Sequence, residues 1–160
     1  MTATTLDSPL GELTLTATEG GLSGLYFENH QHPPQDEMEF VPNRHPYFEA
    51  AQSWLEAYFG ERIRKPLPVL DLVAGTGFQR RVWDELSRIP EGGTLTYADI
   101  ANRIGSPRGV RAVGAAVGRN PVSILIPCHR VVGSNGTLTG FAGGLERKRW
   151  LLVHEGILCL

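Results

Sequence analysis

The chain has few cysteines: only Cys128 and Cys159 occur among its 160 residues. Two cysteines cannot build the several disulfides that stabilise small secreted domains, so we expect a reducing, cytoplasmic environment. The chain also lacks an uninterrupted apolar run of about 18 residues, which excludes a transmembrane helix. Its first residues lack the basic start and apolar stretch of a secretory signal peptide. These absences predict a cytoplasmic globular protein with no membrane partner.

Clustered metal ligands are also missing. Zinc sites in proteins group cysteine and histidine side chains, whereas His30, His32 and His45 have no cysteine nearby in the sequence. We interpret these three histidines as loop residues. The sequence therefore predicts no metal.

The charge is unevenly distributed along the chain. Residues 1–74 carry 11 acidic and 4 basic side chains, a net charge of −7. Residues 75–160 carry 6 acidic and 11 basic side chains, a net charge of +5. This asymmetry predicts two domains with a boundary near residue 74, the second of which faces nucleic acid. The alternative is a chance distribution of solvated charges.

The N-terminal half is predicted to be a small α/β domain. Apolar residues alternate over the first 28 or so positions, with a turn at residues 19–21, which predicts a β-hairpin or meander. Residues 29–44 are polar and contain prolines, so we expect a loop. Helical spacing extends from His45 to Gly60, with Gly60 as the residue after the helix. Residues 61–76 are predicted to be extended.

The C-terminal half is predicted to be mainly helical. One helix runs from about Gly77 to Ile89, and a short helix from Tyr97 to Ile104 has Thr96 as its N-cap. Ser106 and Pro107 predict the N-cap and first position of another helix, which runs to Val117. In that helix one stripe is apolar and contains Val110, Val113 and Ala116. A second stripe has very small side chains and contains Gly109, Ala112 and Ala115.

Two short helices joined by a glycine turn are typical of a helix-turn-helix. The stripe of small side chains would allow the second helix to approach DNA closely. A plain helical hairpin packed in a core explains the same pattern, because helix packing also favours Ala and Gly. A last helix, Leu145 to Gly156, is predicted to turn Trp150, Leu151 and Val153 inward and Arg147, Lys148 and Arg149 outward.

The stretch ILIPCHRVVG, residues 124–133, contains the candidate for chemistry. The apolar residues 124–126 predict a buried strand, and Pro127 ends it, so Cys128 is expected at a bend. A cysteine becomes nucleophilic when a base or a positive charge favours its thiolate. His129 is adjacent, and Glu155 is the candidate carboxylate to orient it. The alternative is a buried, inert cysteine.

The segments RAVGAAVGRNPVSILIPCHR and IPCHRVVGSNGTLTGFAGGLERKRWLLVHEG closely resemble the O6-alkylguanine-DNA alkyltransferases. The resemblance is strong over residues 75–157 and weak before them. It implies a ribonuclease-H-like N-terminal α/β domain, residues 1–74, and a winged-helix-like, mainly α C-terminal domain, residues 75–160, that contains the helix-turn-helix.

The resemblance also implies roles for individual residues. Cys128 matches the alkyl acceptor, His129 the base that acts through a water, and Glu155 the carboxylate that orients the imidazole. Asn120 matches the asparagine that ties the second helix to the active-site loop. Tyr97 matches the tyrosine beside the flipped nucleotide, which gives a proton to the departing guanine.

The DNA contacts implied by the resemblance lie on the second helix and one loop. Arg111 matches the arginine that fills the base stack after flipping. Lys148 matches a lysine of the last helix, for which a structural role and a direct role both stay open. The helix is expected at the minor groove. The other expected DNA contacts are Ser106, Arg108, Gly109, Ala112 and Ala115, and the expected base-binding loop contains Val131, Gly140, Phe141 and Ala142.

The predicted function is therefore irreversible, single-turnover transfer of an alkyl group from O6-alkylguanine in double-stranded DNA, with O4-alkylthymine as a second expected substrate. We expect a monomer that binds DNA either singly or cooperatively and needs no cofactor. Two other functions stay open on the residues alone. One is a lesion-binding protein whose Cys128 does not react, and the other is a cysteine hydrolase that uses Cys128, His129 and Glu155.

Overall fold

A computed structural model describes residues 1–42 and 45–159. The chain divides into two compact units, of which the first contains Met1–Asn29 and Pro33–Ala74. The second contains the chain from Gly75 onward together with His30–His32. Within the described ranges, none of the helices is long and apolar enough to cross a membrane.

The first unit contains a four-stranded sheet. Strands β1 (Thr2–Leu6), β2 (Leu13–Thr18) and β3 (Gly21–Phe27) form an antiparallel meander, as the alternating apolar residues predict. Strand β4 (Glu39–Phe40) lies parallel to β1, so the strand order is β3-β2-β1-β4. The prediction of a loop over residues 29–44 was wrong at β4. Both β4 residues are exposed, so no apolar alternation marks them; Asn43 and Arg44 lie outside the described residues.

Helix α1 (Pro46–Phe59) follows the predicted helix closely. The ring nitrogen Nδ1 of His45 accepts a hydrogen bond from the backbone N–H of Tyr47 (3.3 Å) and caps the first turn. The prediction for its C-terminal end was wrong by one position. Gly60 has φ −84°, whereas Glu61 adopts the left-handed conformation that usually selects glycine, with φ 54°.

The second unit is built from short elements. Two of its helices, α2 and α3, begin with capping boxes, formed by Thr76 with Gln79 and by Thr96 with Asp99. The elements are α2 (Gly77–Ser87), β5 (Leu95–Thr96), α3 (Tyr97–Arg103), α4 (Val110–Gly118), β6 (Val131–Val132) and α5 (Leu145–His154).

Helices α3 and α4 are joined by a turn, and α4 begins later in the chain than the sequence predicts. Gly105, with φ 77°, ends α3, and the Ser106 N–H donates to the Ala101 carbonyl (2.9 Å). Ser106 is not the N-cap of α4, contrary to the prediction. Its carbonyl accepts from the Gly109 N–H (2.8 Å), so Pro107 belongs to a turn and Gly109 becomes the N-cap.

The faces of α4 differ from the prediction at one end. Val113 and Ala116 are buried as expected, and the Trp83 ring N–H of α2 donates to the Ala116 carbonyl (2.8 Å). Val110 was predicted in the same buried stripe, but it is 38% exposed because it is the first residue of the helix. Ala112 and Ala115 are exposed, so α4 presents a face with short side chains.

Helix α5 also corrects a prediction. Leu151 is fully buried as expected, and Leu152 joins it in the core. Trp150 and Val153 are only half-buried. Lys148 was predicted to face outward and is instead fully buried, with 0% exposure.

Candidate active site

A strained turn precedes the candidate cysteine. Ile124 has φ 72°, which is unfavourable for a β-branched residue. The N–H of Leu125 donates to the carbonyl of Ser123 (2.9 Å), so Ile124 is the centre of a three-residue turn. The prediction of a buried strand over residues 124–126 was therefore wrong. The segment is as apolar and buried as a strand, but the chain reverses within it.

A second three-residue turn presents Cys128. Pro127 has φ −81° and ψ 63°, and the Cys128 N–H donates to the Ile126 carbonyl (2.8 Å). Cys128 then begins a short 3-10 helix that includes His129 and Arg130. The bend expected at Pro127 is thus present, and it gives Cys128 and His129 directions that a straight strand would not give.

Asn120 holds these two turns together. Its side-chain amide donates to the Ile126 carbonyl (2.8 Å), and its side-chain oxygen accepts from the Val122 N–H (3.0 Å). The residue is 3% exposed and lies just after α4. Asn120 therefore replaces backbone partners that the strained turn cannot supply to itself.

His129 and Glu155 form a buried pair. The Nε2 atom of His129 lies 2.6 Å from Oε2 of Glu155, and both side chains are 0% exposed. Burial lowers the pKa of His129, and the hydrogen bond and charge of Glu155 oppose that change. Nδ1 of His129 has no hydrogen-bond partner among the described protein atoms. A neutral imidazole that donates Nε2–H to Glu155 keeps Nδ1 as a proton acceptor.

Arg130 completes this cluster. Its guanidinium binds both oxygens of Glu155, with Nε at 2.7 Å from Oε1 and Nη2 at 3.1 Å from Oε2. Its Nη1 also donates to the carbonyl of Ile89 (2.6 Å). Sequence reasoning did not assign Arg130 to the site. The sequence feature that could have indicated Arg130 is the run of three ionisable residues, Cys-His-Arg, directly after an apolar segment.

The position of Glu155 depends on the end of α5. Glu155 is the C-cap residue, and Gly156 follows with φ 78°. The N–H of Gly156 donates to the Val153 carbonyl (3.0 Å) and that of Ile157 to the Leu152 carbonyl (2.9 Å). This Schellman arrangement ends the helix at a fixed residue, so it fixes the carboxylate as well.

The Cys128 thiol is 4% exposed. Burial raises its pKa, while a hydrogen bond from the Asn120 side chain and the positive charge of Lys148 act in the opposite direction. The thiol therefore stays protonated in the resting protein, and its reaction requires a base. The same environment contains the groups that stabilise the thiolate once it forms.

Lys148 reaches this site from α5. Its Nζ donates to the carbonyl of Thr139 (2.8 Å) and lies 3.5 Å from the carbonyl of Gly140. Burial lowers the pKa of Lys148 to about 8, and the proximity of Cys128 partly offsets this. Lys148 thus connects the cysteine electrostatically with the loop of Thr139 and Gly140, a role that its expected outward position did not suggest.

A cleft of about 650 Å³ lies between α4 and that loop. Arg111 and Ala115 of α4 line one wall, and Gly140, Phe141 and Ala142 line another. Its remaining lining residues are Gln31, His32, Tyr97, Val110, Gly114, Gly118, Arg119 and Thr139.

Tyr97 reaches the cleft because of a short parallel pairing. Strand β5 pairs with β6, with Leu95 opposite Val131 and Thr96 opposite Val132, and Tyr97 follows directly. Its hydroxyl accepts a hydrogen bond from the Thr139 hydroxyl (3.2 Å). Strand β6, which directly follows the Cys128–Arg130 segment, therefore sets the position of Tyr97 through its pairing with β5.

Not every predicted residue lies at the cleft. Val131 is 0% exposed within β6, where it packs rather than faces a ligand. Ser106, Arg108, Gly109 and Ala112 do not line the cleft, and Arg108 and Ala112 are exposed. Over residues 1–42 and 45–159, no group of three or more His, Cys, Asp or Glu side chains is arranged to hold a metal ion.

The sequence matches two domain models of one known protein family. Residues 77–157 match the family described as 6-O-methylguanine DNA methyltransferase, DNA binding domain. Residues 1–72 match its ribonuclease-like domain.

Individual relatives match over almost the whole chain. A methylated-DNA–protein-cysteine methyltransferase of Methanosarcina acetivorans is 43% identical over 150 residues, which cover 94% of this chain and 95% of the relative. One from Mycobacterium tuberculosis is 44% identical over 151 residues, covering 94% and 90%. The crystal structure of Mycobacterium tuberculosis OGT in complex with DNA superposes with a TM-score of 0.88 at 42% identity, covering 97% of this chain and 92% of that one. The chain therefore belongs to the 6-O-methylguanine DNA methyltransferase family.

Proposed function

We propose that the chain repairs alkylated DNA by moving the alkyl group of O6-alkylguanine onto Cys128. The observation that carries the proposal is the buried cluster in which a cysteine, a lysine charge and a His–Glu pair meet beside a cleft lined by Tyr97 and Arg111. O4-alkylthymine is the second substrate under this proposal. No cofactor takes part, because the protein itself accepts the group.

The chemistry follows from the protonation states. The Cys128 thiol gives its proton toward Nδ1 of His129, directly or through one bridging water, and Glu155 stabilises the resulting imidazolium. The thiolate attacks the alkyl carbon, so a C–S bond forms as the C–O6 bond breaks. The departing guanine takes a proton from the Tyr97 hydroxyl. Solvent then returns a proton to Tyr97 and accepts the one held by the His129 imidazolium. The thioether has no route to hydrolysis, so each molecule reacts once.

DNA binding is assigned to the helix-turn-helix of the second unit. The exposed, side-chain-poor face of α4 enters the minor groove, where Ala112 and Ala115 allow a close approach. Arg111 fills the stack from which the base has been flipped, which offsets part of the cost of unstacking. Ser106, Arg108 and Gly109 bind the backbone. The loop of Gly140, Phe141 and Ala142 holds the base.

The remaining assignments concern architecture and location. Residues 1–74 are a ribonuclease-H-like domain, and residues 75–160 are a winged-helix-like domain. The protein works as a cytoplasmic monomer on DNA. Val131 contributes to the base site through its backbone, because its side chain is buried in β6.

Mass spectrometry tests the proposal directly. The protein is mixed with a duplex that contains one O6-methylguanine, and the intact protein and its peptides are weighed. We expect one added methyl on the peptide that contains Cys128. The variant Cys128→Ser should gain nothing, whereas the matched control Cys159→Ser, which removes the exposed second thiol, should gain the methyl normally.

Two other results would contradict the proposal. DNA binding with no mass change on any peptide would identify a lesion-binding protein. Repeated turnover of an ester or acyl substrate, with Cys128 recovered unmodified, would identify a hydrolase.

A further inference from the structure

Three residues from the N-terminal half of the chain belong to the second unit. His30–His32 pack with the C-terminal residues, although the chain on both sides of them belongs to the first unit. The backbone N–H of Gln31 donates to the carbonyl of Ala142 in the loop that lines the cleft (2.8 Å). This hydrogen bond fixes Gln31 and His32 on the wall of the cleft.

The cleft wall carries basic residues. His32, Arg111 and Arg119 line it, and no carboxylate is found among its lining residues within the described part of the chain. His32 and Arg119 both line this cleft, and partial burial together with the positive charge of Arg119 lowers the pKa of His32, so its imidazole is mostly neutral until an anion is bound. Two neighbouring basic groups on an open wall without a counter-charge are suited to an anion.

The geometry of base flipping indicates which anion this wall would bind. A nucleotide that rotates out of the stack brings the phosphates on either side of it to the rim of the pocket that receives the base. Arg111 is committed to the vacated stack, so it is not available for those phosphates. Building on the proposed function, we propose that His32 and Arg119 bind a phosphate that flanks the flipped nucleotide.

The two residues suit different parts of this task. Arg119 directly follows the last residue of α4, so its guanidinium has a fixed base from which to reach a phosphate oxygen. His32 is a shorter donor, held in place by the neighbouring Gln31–Ala142 hydrogen bond. The bound phosphate supplies the negative charge that the cleft wall lacks, and it accepts a hydrogen bond from each of the two groups.

The test compares single-turnover transfer from three methyl donors. The first is a duplex with one O6-methylguanine, the second is the same duplex with uncharged methylphosphonates at the two phosphates that flank the lesion, and the third is free O6-methylguanine base. The proteins are the unmodified chain, His32→Gln and Arg119→Gln. Arg149→Gln is the matched control, because Arg149 is exposed on α5 and does not line the cleft.

We expect each cleft variant to bind the first duplex about three- to fivefold more weakly. For Arg119→Gln, which removes a full positive charge, the slope of log affinity against log salt should fall in magnitude by about one. The ratio of duplex to free-base transfer should fall by the same three- to fivefold factor. On the methylphosphonate duplex the variants and the unmodified chain should bind alike, and Arg149→Gln should match the unmodified chain throughout.

Three results would overturn the inference. They are unchanged affinity of both variants for the first duplex, an equal loss on the methylphosphonate duplex, and a proportional loss with the free base, which would assign His32 and Arg119 to the shape of the pocket. Failure of the proposed function gives a different pattern, because the unmodified chain would then transfer no methyl from any of the three donors.

Discussion

The two units of this protein differ in what they bury. The buried polar residues of the first unit are Thr4 and Thr16, threonines on neighbouring strands of a sheet, among the residues that the structure describes. The second unit instead buries ionisable and amide side chains. They include Asn120, His129, Arg130 and Lys148, and the Glu155 side chain lies with them.

This difference shows that the unfavourable free energy of burying charged groups falls on the unit that contains the candidate active site. Burying a charged group is unfavourable unless partners satisfy it. His129 and Arg130 accordingly contact Glu155, and Lys148 donates to the Thr139 carbonyl. The first unit contains a conventional apolar core between its sheet and α1. We therefore expect changes in the second unit to alter chemistry and stability together, and changes in the first unit to alter stability alone.

The largest effect is expected from Glu155→Ala. The substitution leaves the buried Arg130 and His129 without their carboxylate, which should lower the free energy of unfolding by about 3–5 kcal/mol. Transfer from free O6-methylguanine should fall at least a hundredfold, because the imidazolium is no longer stabilised. Denaturant unfolding and single-turnover rates measure the two effects. Glu155→Gln keeps the shape, so a rate close to that of the unmodified chain would contradict the role of the charge.

Leu15→Ala tests the other side of the comparison. Leu15 is 0% exposed in β2, and its truncation should lower the free energy of unfolding by about 2–4 kcal/mol. The transfer rate of the folded fraction should not change. Denaturant curves and the rate at a temperature where the variant is folded measure both quantities. A rate loss as large as the stability loss would show that the two units are not functionally separate.

Lys148→Met removes the buried ammonium at similar volume. Transfer should slow about tenfold at neutral pH, equivalent to about 1.4 kcal/mol of barrier, because the Cys128 thiolate loses a neighbouring charge. The rate ratio of unmodified chain to variant should shrink as pH rises through about 8, where Lys148 loses its proton. A pH-independent ratio would assign Lys148 to loop support alone.

The same pKa shift has a consequence for stability. Folded Lys148 binds fewer protons than unfolded Lys148 between pH 8 and 10.5, so rising pH favours the folded state over that range. The unmodified chain should therefore gain stability relative to Lys148→Met across that window. Denaturant unfolding of both proteins at several pH values measures the difference.

The smallest effect is expected from Glu61→Gly. Glu61 holds the left-handed position after α1, with φ 54°, and glycine adopts that conformation without steric cost. The free energy of unfolding should rise by about 0.5–1 kcal/mol. Transfer should not change, since the residue belongs to the first unit. Gly60→Ala is the matched control and should not stabilise, because Gly60 has an ordinary negative φ and its added Cβ would lie 2.9 Å from the Glu56 carbonyl.

The sequence predicted the elements whose signals are local. The β1–β3 meander, α1 and the Thr96 cap of α3 appear where the apolar spacing and capping residues place them. The start of α4 was missed because Ser106 and Pro107 resemble an N-cap and first position, although the turn that follows Gly105 uses the Ser106 carbonyl. Local propensity describes which residues can begin a helix, whereas the preceding turn decides which one does.

The site shows the same limit. The contact between His129 and Glu155, 26 positions apart in the chain, was suggested by the residues and strengthened by the family resemblance. The burial of Lys148 was missed because the helical pattern groups it with the charged residues on either side of it. Only the folded structure shows that the Thr139 carbonyl accepts a hydrogen bond from the Lys148 ammonium group. Arg130 was missed because its partners, Glu155 and the Ile89 carbonyl, are distant in sequence.

The hydrogen bonds of Asn120 have a consequence for natural variation in this family. The backbone from Val122 to Cys128 is closed by Asn120 and by two consecutive three-residue turns, so a substitution there changes the position of the sulfur. At the opposite wall, near Gly140, Lys148 and Gln31 donate to backbone carbonyls, so these hydrogen bonds do not depend on the side chains of the wall. Evolution can therefore enlarge the range of accepted alkyl groups by altering the residues of that wall, while the segment that carries the cysteine stays the same.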